Sequence, residues 1–383
     1  MSVHSRLRYI KVSLLLLAIC ALLLTAARPY SGPPSATPLT VTNIQSLGLV
    51  TFPTGYQFSG TEVGGLSGIT YDARRGVYYV LSDDRGEPRY YTVKIDLSDG
   101  SLDAGDVSFS GVTFIRDQNN EVFPPGVTDP ESIQLLHPGQ LFISSEGDAS
   151  ASPPIDPFVD RFNPTGKLNR ALTVPDKFLP NAENTKGVRD NLAFESLTAA
   201  PDRSELYTAT ESALVQDGPI ASLTESSPAR FLEYELGSKQ PGAEYVYVVE
   251  PIPQAPVPPG SFADNGLSDI QAIDNAGTFI AMERSFAVGV GNTVVLYETD
   301  TRGATNVSDI FSLQGASYEP MDKSFLADFE QDLGIDPDNL EGLSFGPRLP
   351  DGRMTLVVVS DNNFNPSQTT QFIVLAVELE KAD

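Results

Sequence analysis

One unit recurs five times along this chain, and that recurrence restricts the fold more than any other feature of the sequence. The copies are GLSGITYDARRGVYYVLSDD (65–84), PESIQLLHPGQLFISSEGD (130–148), FESLTAAPDRSELYTATES (194–212), LSDIQAIDNAGTFIAMERS (267–285) and LEGLSFGPRLPDGRMTLVVVSDN (340–362). Each reads as a short strand, a turn rich in Pro, Gly, Asp or Asn, and an alternating β-branched or aromatic strand that ends in an acid. A third strand follows in every unit, at 90–97, 157–163, 229–236, 292–300 and 370–379. Four units offer a fourth, at 107–115, 170–175, 244–251 and 306–313. Four antiparallel strands per unit make the blade of a β-propeller.

The equivalent positions Ser67, Glu131, Glu195, Ser268 and Glu341 are 64, 64, 73 and 73 residues apart, a spacing that accounts for the whole chain with five blades. A sixth blade would have to hide in the polar stretch 213–231, which reads as a loop. The last unit has no fourth strand before the chain ends, and the segment 39–52 (LTVTNIQSLGLVTF) can supply it and close the ring. Closure removes the exposed edges that an open array would keep. The segment before the last unit, MDKSFLADFEQDL (321–333), reads as a short helix with Asp322 or Lys323 near its start.

Residues 1–27 carry Arg6, Arg8 and Lys11, no acid, an apolar run from Val12 to Leu24 and small residues at Thr25 to Ala27, the layout of a secretory signal. The apolar run is shorter than the roughly 20 residues of a spanning helix, so no stable membrane span is expected after cleavage. Residues 28–38 form a Pro/Ser-rich tether, and 39–383 the propeller domain. The only cysteine, Cys20, lies in the signal, so the mature chain has no disulfide and no thiol ligand. Removing the signal takes three of the 25 basic residues and none of the 50 acids, leaving a formal charge of −28. Such a chain repels nucleic acid and attracts cations. A secreted or periplasmic monomer is expected.

The first two strands of a blade form a hairpin, so the start of one and the end of the other lie side by side on one face. Glu131 with Glu146, Glu195 with Glu211, Asp269 with Glu283, Glu341 with Asp361 and Ser67 with Asp83 are the pairs this brings together. Each blade then presents carboxylates at one rim of the central channel. Oxygen ligands converging from several strands suit Ca²⁺, which takes 6 to 8 of them; simple solvation of the funnel by strand-end acids is the alternative. Arg85, Arg284, Lys186 and Arg189 fall in loops assigned to the same rim, with Asn191 beside them. Mixed cations and carboxylates suit a site shared by a metal and a phosphorylated or ester substrate. His137, the only histidine beyond the signal, lies in the opposite turn, which argues against a Ser-His-Asp triad at the rim. No GxSxG, P-loop or HExxH is present.

Together, GGLSGITYD with YYVLSDDRG, NLAFESL with ELYTATE, NGLSDIQAI with FIAMER, and DNLEGLSFG with VVVSDNNF resemble the phytase-like family, also described by the esterase-like activity of phytase. The resemblance spans residues 45 to 380 and implies a propeller hydrolase cleaving a phosphate ester or another ester. It carries over Glu131, Glu195 and Glu341 with Asp83, Glu146, Glu211, Glu283 and Asp361, while Ser67 and Ser268 depart from the acid pattern. Three functions follow: a Ca²⁺-assisted phosphoesterase using Glu131, Glu195, Glu341, Arg85 and Arg284, a metal-dependent esterase or lactonase, or a non-catalytic binding propeller. N-terminal sequencing of exported protein should find a chain beginning near Arg28; a membrane-bound form retaining Met1 would overturn the signal assignment.

Overall fold

The second strand of each unit is apolar on both faces, so every sheet has to be covered twice. Stacking sheets around a closed ring satisfies that demand without leaving an apolar face in water. The computed structural model describes residues 37–137 and 139–382 and shows that ring. The signal segment and most of the tether lie outside the described residues.

The chain enters through β1 (Leu39–Pro53) and a small hairpin of β2 (Gln57–Phe58) and β3 (Thr61–Glu62). Blade one is β4 (Leu66–Asp72), β5 (Val77–Ser82), β6 (Arg89–Ile95) and β7 (Val107–Phe114). Blade two is β8 (Pro130–His137), β9 (Gln140–Ser145), β10 (Phe158–Phe162) and β11 (Leu168–Ala171). Blade three is β12 (Phe194–Ala199), β13 (Glu205–Thr210), β14 (Ser227–Glu235) and β15 (Gln240–Val249). Blade four is β16 (Ala263–Ala272), β17 (Thr278–Ala287), β18 (Gly291–Asp300) and β19 (Asp322–Asp328). Blade five is β20 (Asn339–Arg348), β21 (Met354–Asp361), β22 (Thr369–Lys381) and, outermost, β1.

The core is divided among the blade interfaces. Val80 and Tyr78 pack with Val357 and Phe372 between blades one and five. Leu81 and Tyr79 meet Ile133 and Ile143 between blades one and two. Phe142 and Leu206 share a cluster between blades two and three, Phe231 and Phe279 between three and four, and Met282 and Val358 between four and five. Alternate residues of one strand thus belong to two cores, the expected reading of a strand buried on both faces. The inner strands touch in the closed order β4, β8, β12, β16, β20 and back to β4. Gly68 and Gly342 permit the last contact, because a Cβ on Gly342 would lie 2.9 Å from the Cα of Gly68.

Two expectations about blade four are corrected. Residues 321–333 do not form a helix: Asp322–Asp328 is the outer strand β19, paired with β18 through Thr299↔Lys323 and Val295↔Asp328. Strong helix formers such as Leu326 and Ala327 are overridden because β18 would otherwise keep an unpaired edge. Only a single turn, with Leu333 N bonded to Asp328 O, interrupts the extended chain there. Conversely, 306–313 is not a strand. It crosses to blade three, where Val307 N bonds to Glu244 O and the buried Arg230 pairs with Asp217 and Glu244 beneath it. The one helix among the described residues is a 3₁₀ turn at Asp176–Phe178. No helix of the described residues is long and apolar enough to cross a membrane.

The ring is closed by β1, which pairs with β22 from Leu39↔Lys381 to Pro53↔Thr369. It is also tied to blade four, where Leu39 N and Val41 N donate to Asp274 and Glu298 at 2.7 and 2.6 Å. Deleting residues 39–53 should therefore expose the β22 edge and cause aggregation or a large fall in melting temperature, read by circular dichroism; a wild-type melt would refute closure by this strand.

Candidate functional site

Every inner strand begins with a β-bulge at the same place. The pairing register slips between Leu66 and Gly68, Pro130 and Ile133, Phe194 and Ser196, Leu267 and Asp269, and Leu340 and Gly342. The residues skipped are Ser67, Glu131 with Ser132, Glu195, Ser268 and Glu341. A bulge re-aims the side chain that lacks a partner, and at the axis of a ring the shared target is the channel. Glu131, Glu195 and Glu341 are 7, 7 and 8 % exposed and line one cavity of about 320 Å³ with Asp83, Asp129, Glu146 and Asp361. Arg85, Arg284, Asn191 and Asn363 complete its wall.

The second position of each blade follows the residue paired across the bulge: Asp83 after Ser82, Glu146 after Ser145, Glu211 after Thr210 and Asp361 after Ser360. In blade four Leu267 pairs with Glu283, so the residue that follows, at the acid position, is Arg284. The pairing of Asp269 with Glu283 is therefore displaced by one residue, and a one-residue slip moves a side chain to the other face. Distances along the chain carried that signal: the bulge residue and its partner are 16, 15 and 16 apart in the first three units, and Ser268 and Arg284 are 16 apart.

Neither Asp269 nor Glu283 joins the funnel wall. Asp269 is buried and accepts Leu343 N of blade five at 2.7 Å and its own neighbour Ile270 N at 2.9 Å, tying two blades together. Glu283 accepts from Tyr247 Oη of blade three at 2.8 Å and, within its own blade, from Lys323 Nζ at 2.8 Å and Asn265 Nδ2 at 2.9 Å. Lys186 and Arg189 also lie apart. Lys186 pairs with Asp176 at 2.6 Å, and Arg189 spends its guanidinium on the carbonyls of Ala213 and Gly218 at 3.0 and 2.7 Å. Arg85, Asn191 and Arg284 do reach the funnel.

Two wall residues were missed from the sequence, Asp129 and Asn363, as was Asn339, which bonds to Glu341. Asp129 and Asn339 sit two places before the bulge residue, where the other blades have Gly65, Ala193 and Gly266. The comparison of these five positions was the available signal. Asn339 Nδ2 donates to Glu341 at 2.7 Å, and Arg85 forms an ion pair with Asp129 and a 3.2 Å hydrogen bond with Asn191.

The charges divide the funnel into two halves. Towards blades three to five, Arg284 lies 3.3 Å from Glu211, 3.5 Å from Glu341 and 3.8 Å from Asp264, and these acids raise its pKa against the opposing effect of burial. Towards blades one to three, Asp83, Asp129, Glu131, Glu146 and Glu195 gather around Arg85, whose side chain is 49 % exposed and which pairs with Asp129. Here Asp129, Glu131 and Glu146 are buried, and each offers an oxygen within 4.8 Å of the others. Burial first and neighbouring carboxylates second hold Glu131 and Glu195 well above the usual carboxylate range. Glu146, pushed up to about 7 by burial, lies in hydrogen-bond reach of Glu195 and accepts Ala193 N. Three carboxylates at this separation, with the half-exposed Arg85 paired to Asp129 as the cation beside them, fit a hard divalent ion.

A five-bladed propeller with an acid-lined axial funnel is the class that the fold and site define. A family model described as phytase-like, with the esterase-like activity of phytase, matches residues 61–364, and the chain belongs to that family. A secreted protein of Arthroderma benhamiae is 26 % identical over 144 residues, 32 % of this chain and 26 % of that relative, so the match spans about a quarter of its length. Among solved structures the chain is similar to an endo-arabinase from Bacteroides thetaiotaomicron (12 % identity, 87 % of this chain and 99 % of that one, TM-score 0.44). It is also similar to a periplasmic gluconolactonase from Pseudomonas aeruginosa (11 % identity, 84 % and 89 %, TM-score 0.37).

The funnel makes stability depend on pH. Burial is the largest cause that moves Asp361 from the usual 3.8 to about 6, Glu146 from 4.5 to about 7 and Glu211 from 4.5 to about 8. A carboxyl whose pKa is higher folded than unfolded binds more protons in the folded state, so stability falls as pH rises through that interval. In chelator the melting temperature should fall between about pH 5 and pH 8, and millimolar Ca²⁺ should restore it at pH 8 but not at pH 5. A profile unchanged by chelator would remove the basis for a cation in the funnel.

Proposed function

We propose that this chain is an extracytoplasmic phosphoesterase, acting as a monomer, that uses a divalent cation at the half of the funnel away from Arg284. The observation that carries the reading is the triad Asp129, Glu131 and Glu146, buried within 4.8 Å of one another with one half-exposed guanidinium, Arg85, paired to Asp129, while the buried Arg284 serves the other half. The donor set is all carboxylate oxygen, which suits Ca²⁺ among common extracytoplasmic ions. When bound, the ion would draw phosphate oxygens into an otherwise anionic cavity and offset charge in the transition state.

The remaining steps belong to side chains. Arg85 stands at the rim beside Asp129, where it can bind a phosphate oxygen. Water adds to phosphorus as the bond from phosphorus to the alcohol oxygen breaks. Glu341, whose pKa burial and Asp361 raise well above the usual carboxylate range, stands beside Arg284 and Asn339 and in its ionised form takes the proton from water. Glu195, kept protonated by burial and by Glu146, gives its proton to the leaving oxygen. Ester and water become alcohol and phosphate with no covalent enzyme intermediate.

Turnover of p-nitrophenyl phosphate, bis-p-nitrophenyl phosphate and p-nitrophenyl butyrate, with Ca²⁺ and with chelator, tests the assignment. Phosphate ester hydrolysis should require Ca²⁺ and fall by at least about 100-fold in the triple variant E131Q/E195Q/E341Q, together with loss of calcium binding by calorimetry. Wild-type protein that binds no Ca²⁺ at millimolar concentration would sink the metal mechanism. Turnover of the butyrate alone would favour an esterase or lactonase, and Ca²⁺ binding without any turnover a binding propeller.

A further inference from the structure

A second, larger cavity of about 820 Å³ opens beside the funnel between the loops of blades four and five. Asn191, Arg284, Glu341 and Asn363 belong to both walls, so a molecule in the funnel extends into this cleft without crossing a barrier. Its lining differs in chemistry from the funnel. Phe262, 62 % exposed, stands with its ring 6.4 Å from that of Phe286, an apolar face that water covers in the free protein. The side-chain amides of Asn292, which pairs across the sheet with Phe286, and of Asn363 and Asn365 also line it. Those of Asn292 and Asn363 form no hydrogen bond among the described residues.

The loop that carries two of these amides is held in a costly backbone conformation. Asn363 and Phe364 are consecutive left-handed residues with φ of 49° and 50°, and for a bulky residue such as Phe364 that region is disfavoured. Asn362 holds the turn by accepting Phe364 N and Gly65 N, each at 3.1 Å. Its geometric effect is to set Asn363 and Asn365 along the lip of the cleft.

Charge excludes one kind of occupant. The only cation in the cleft wall is Arg284, already shared among Glu211, Glu341 and Asp264, while Asp264, Asp336, Asp338 and Glu341 add negative charge. A ligand bearing several phosphates would meet carboxylates with no free guanidinium or ammonium to offset them. Amides and carboxylates are hydrogen-bonding partners for hydroxyl groups, and an exposed aromatic face suits the apolar side of a sugar ring.

We infer that the cleft binds the alcohol half of the substrate, a neutral polyhydroxylated group of one or two sugar rings, with Phe262 and Asn292 as specificity-determining residues. This rests on the phosphoesterase reading, which places the single phosphate in the adjoining funnel. The substrate class is then a glycosyl or sugar-alcohol monophosphate, not a polyphosphorylated ring.

The test compares kcat/KM for methyl phosphate, glucose 1-phosphate and myo-inositol hexakisphosphate with Ca²⁺ present. Glucose 1-phosphate should exceed methyl phosphate by about tenfold or more through KM, the size of one aromatic contact with its hydrogen bonds, and the hexakisphosphate should gain nothing. F262A and N292A should each lower that ratio towards one. A wild-type ratio of one, or a preference for the hexakisphosphate, overturns the inference. Titration with maltose separates it from the phosphoesterase reading: heat of binding to wild type that F262A abolishes retains the cleft assignment even where no phosphate ester is cleaved. Absence of that heat together with a ratio of one refutes the cleft while leaving p-nitrophenyl phosphate turnover intact.

Discussion

Each inner strand meets the channel with one residue that has no partner across the sheet, and the rest of the site follows from those five bulges. An unbroken ladder would continue the alternation, placing successive side chains in the two blade interfaces. The bulge interrupts it for one step, so Glu131, Glu195 and Glu341 leave the apolar layers and project toward the axis. The following position is small or tied to backbone, as with Gly68, Gly342 and Asp269, which lets neighbouring inner strands approach closely. A ring of acids and the tight waist of the propeller thus have one geometric origin.

Concentrating carboxylates at an axis is unfavourable unless something neutralises them, and this protein meets the problem in two ways. On one side Arg284 takes an acid position and serves Glu211, Glu341 and Asp264 together. On the other side Asp129 pairs with Arg85, while burial and mutual repulsion raise the pKa values of Glu131 and Glu195 and so favour their uncharged forms. The asymmetry gives the funnel a direction. One half is preorganised by protein charge, the other is open to an ion and to the phosphate such an ion would carry.

Outer loops complete the architecture by crossing between blades. The segment 306–313 lies over blade three, where Arg230 is buried between Asp217 and Glu244 and also donates to the carbonyls of Ile310 and Phe311. A buried guanidinium is tolerated only when its donors are satisfied in this manner. On the other side of the ring, β1 binds blade five along its length and blade four through Asp274 and Glu298. Other loops of blades four and five, around residues 290–292, 336–338 and 363–368, shape the cleft beside the funnel.

By itself the sequence determined the five units, the closing strand and the three glutamates at 131, 195 and 341, because these depend on short-range alternation and on a repeat that any closed ring of sheets imposes. Only the tertiary structure decided which neighbours count. Arg284 rather than Glu283 faces the axis because register is set by pairing across the sheet, and a slip of one residue leaves the local pattern FIAMER looking the same. Asp129 and Asn363 join the wall through the stacking of blades, which brings together side chains far apart in the chain. Residues 321–333 became a strand because β18 had an open edge to fill, a demand that no local propensity records. Lys186 and Arg189 belong near the acids in sequence but spend their charge elsewhere, since the path of a loop depends on the carbonyls and carboxylates it meets in three dimensions.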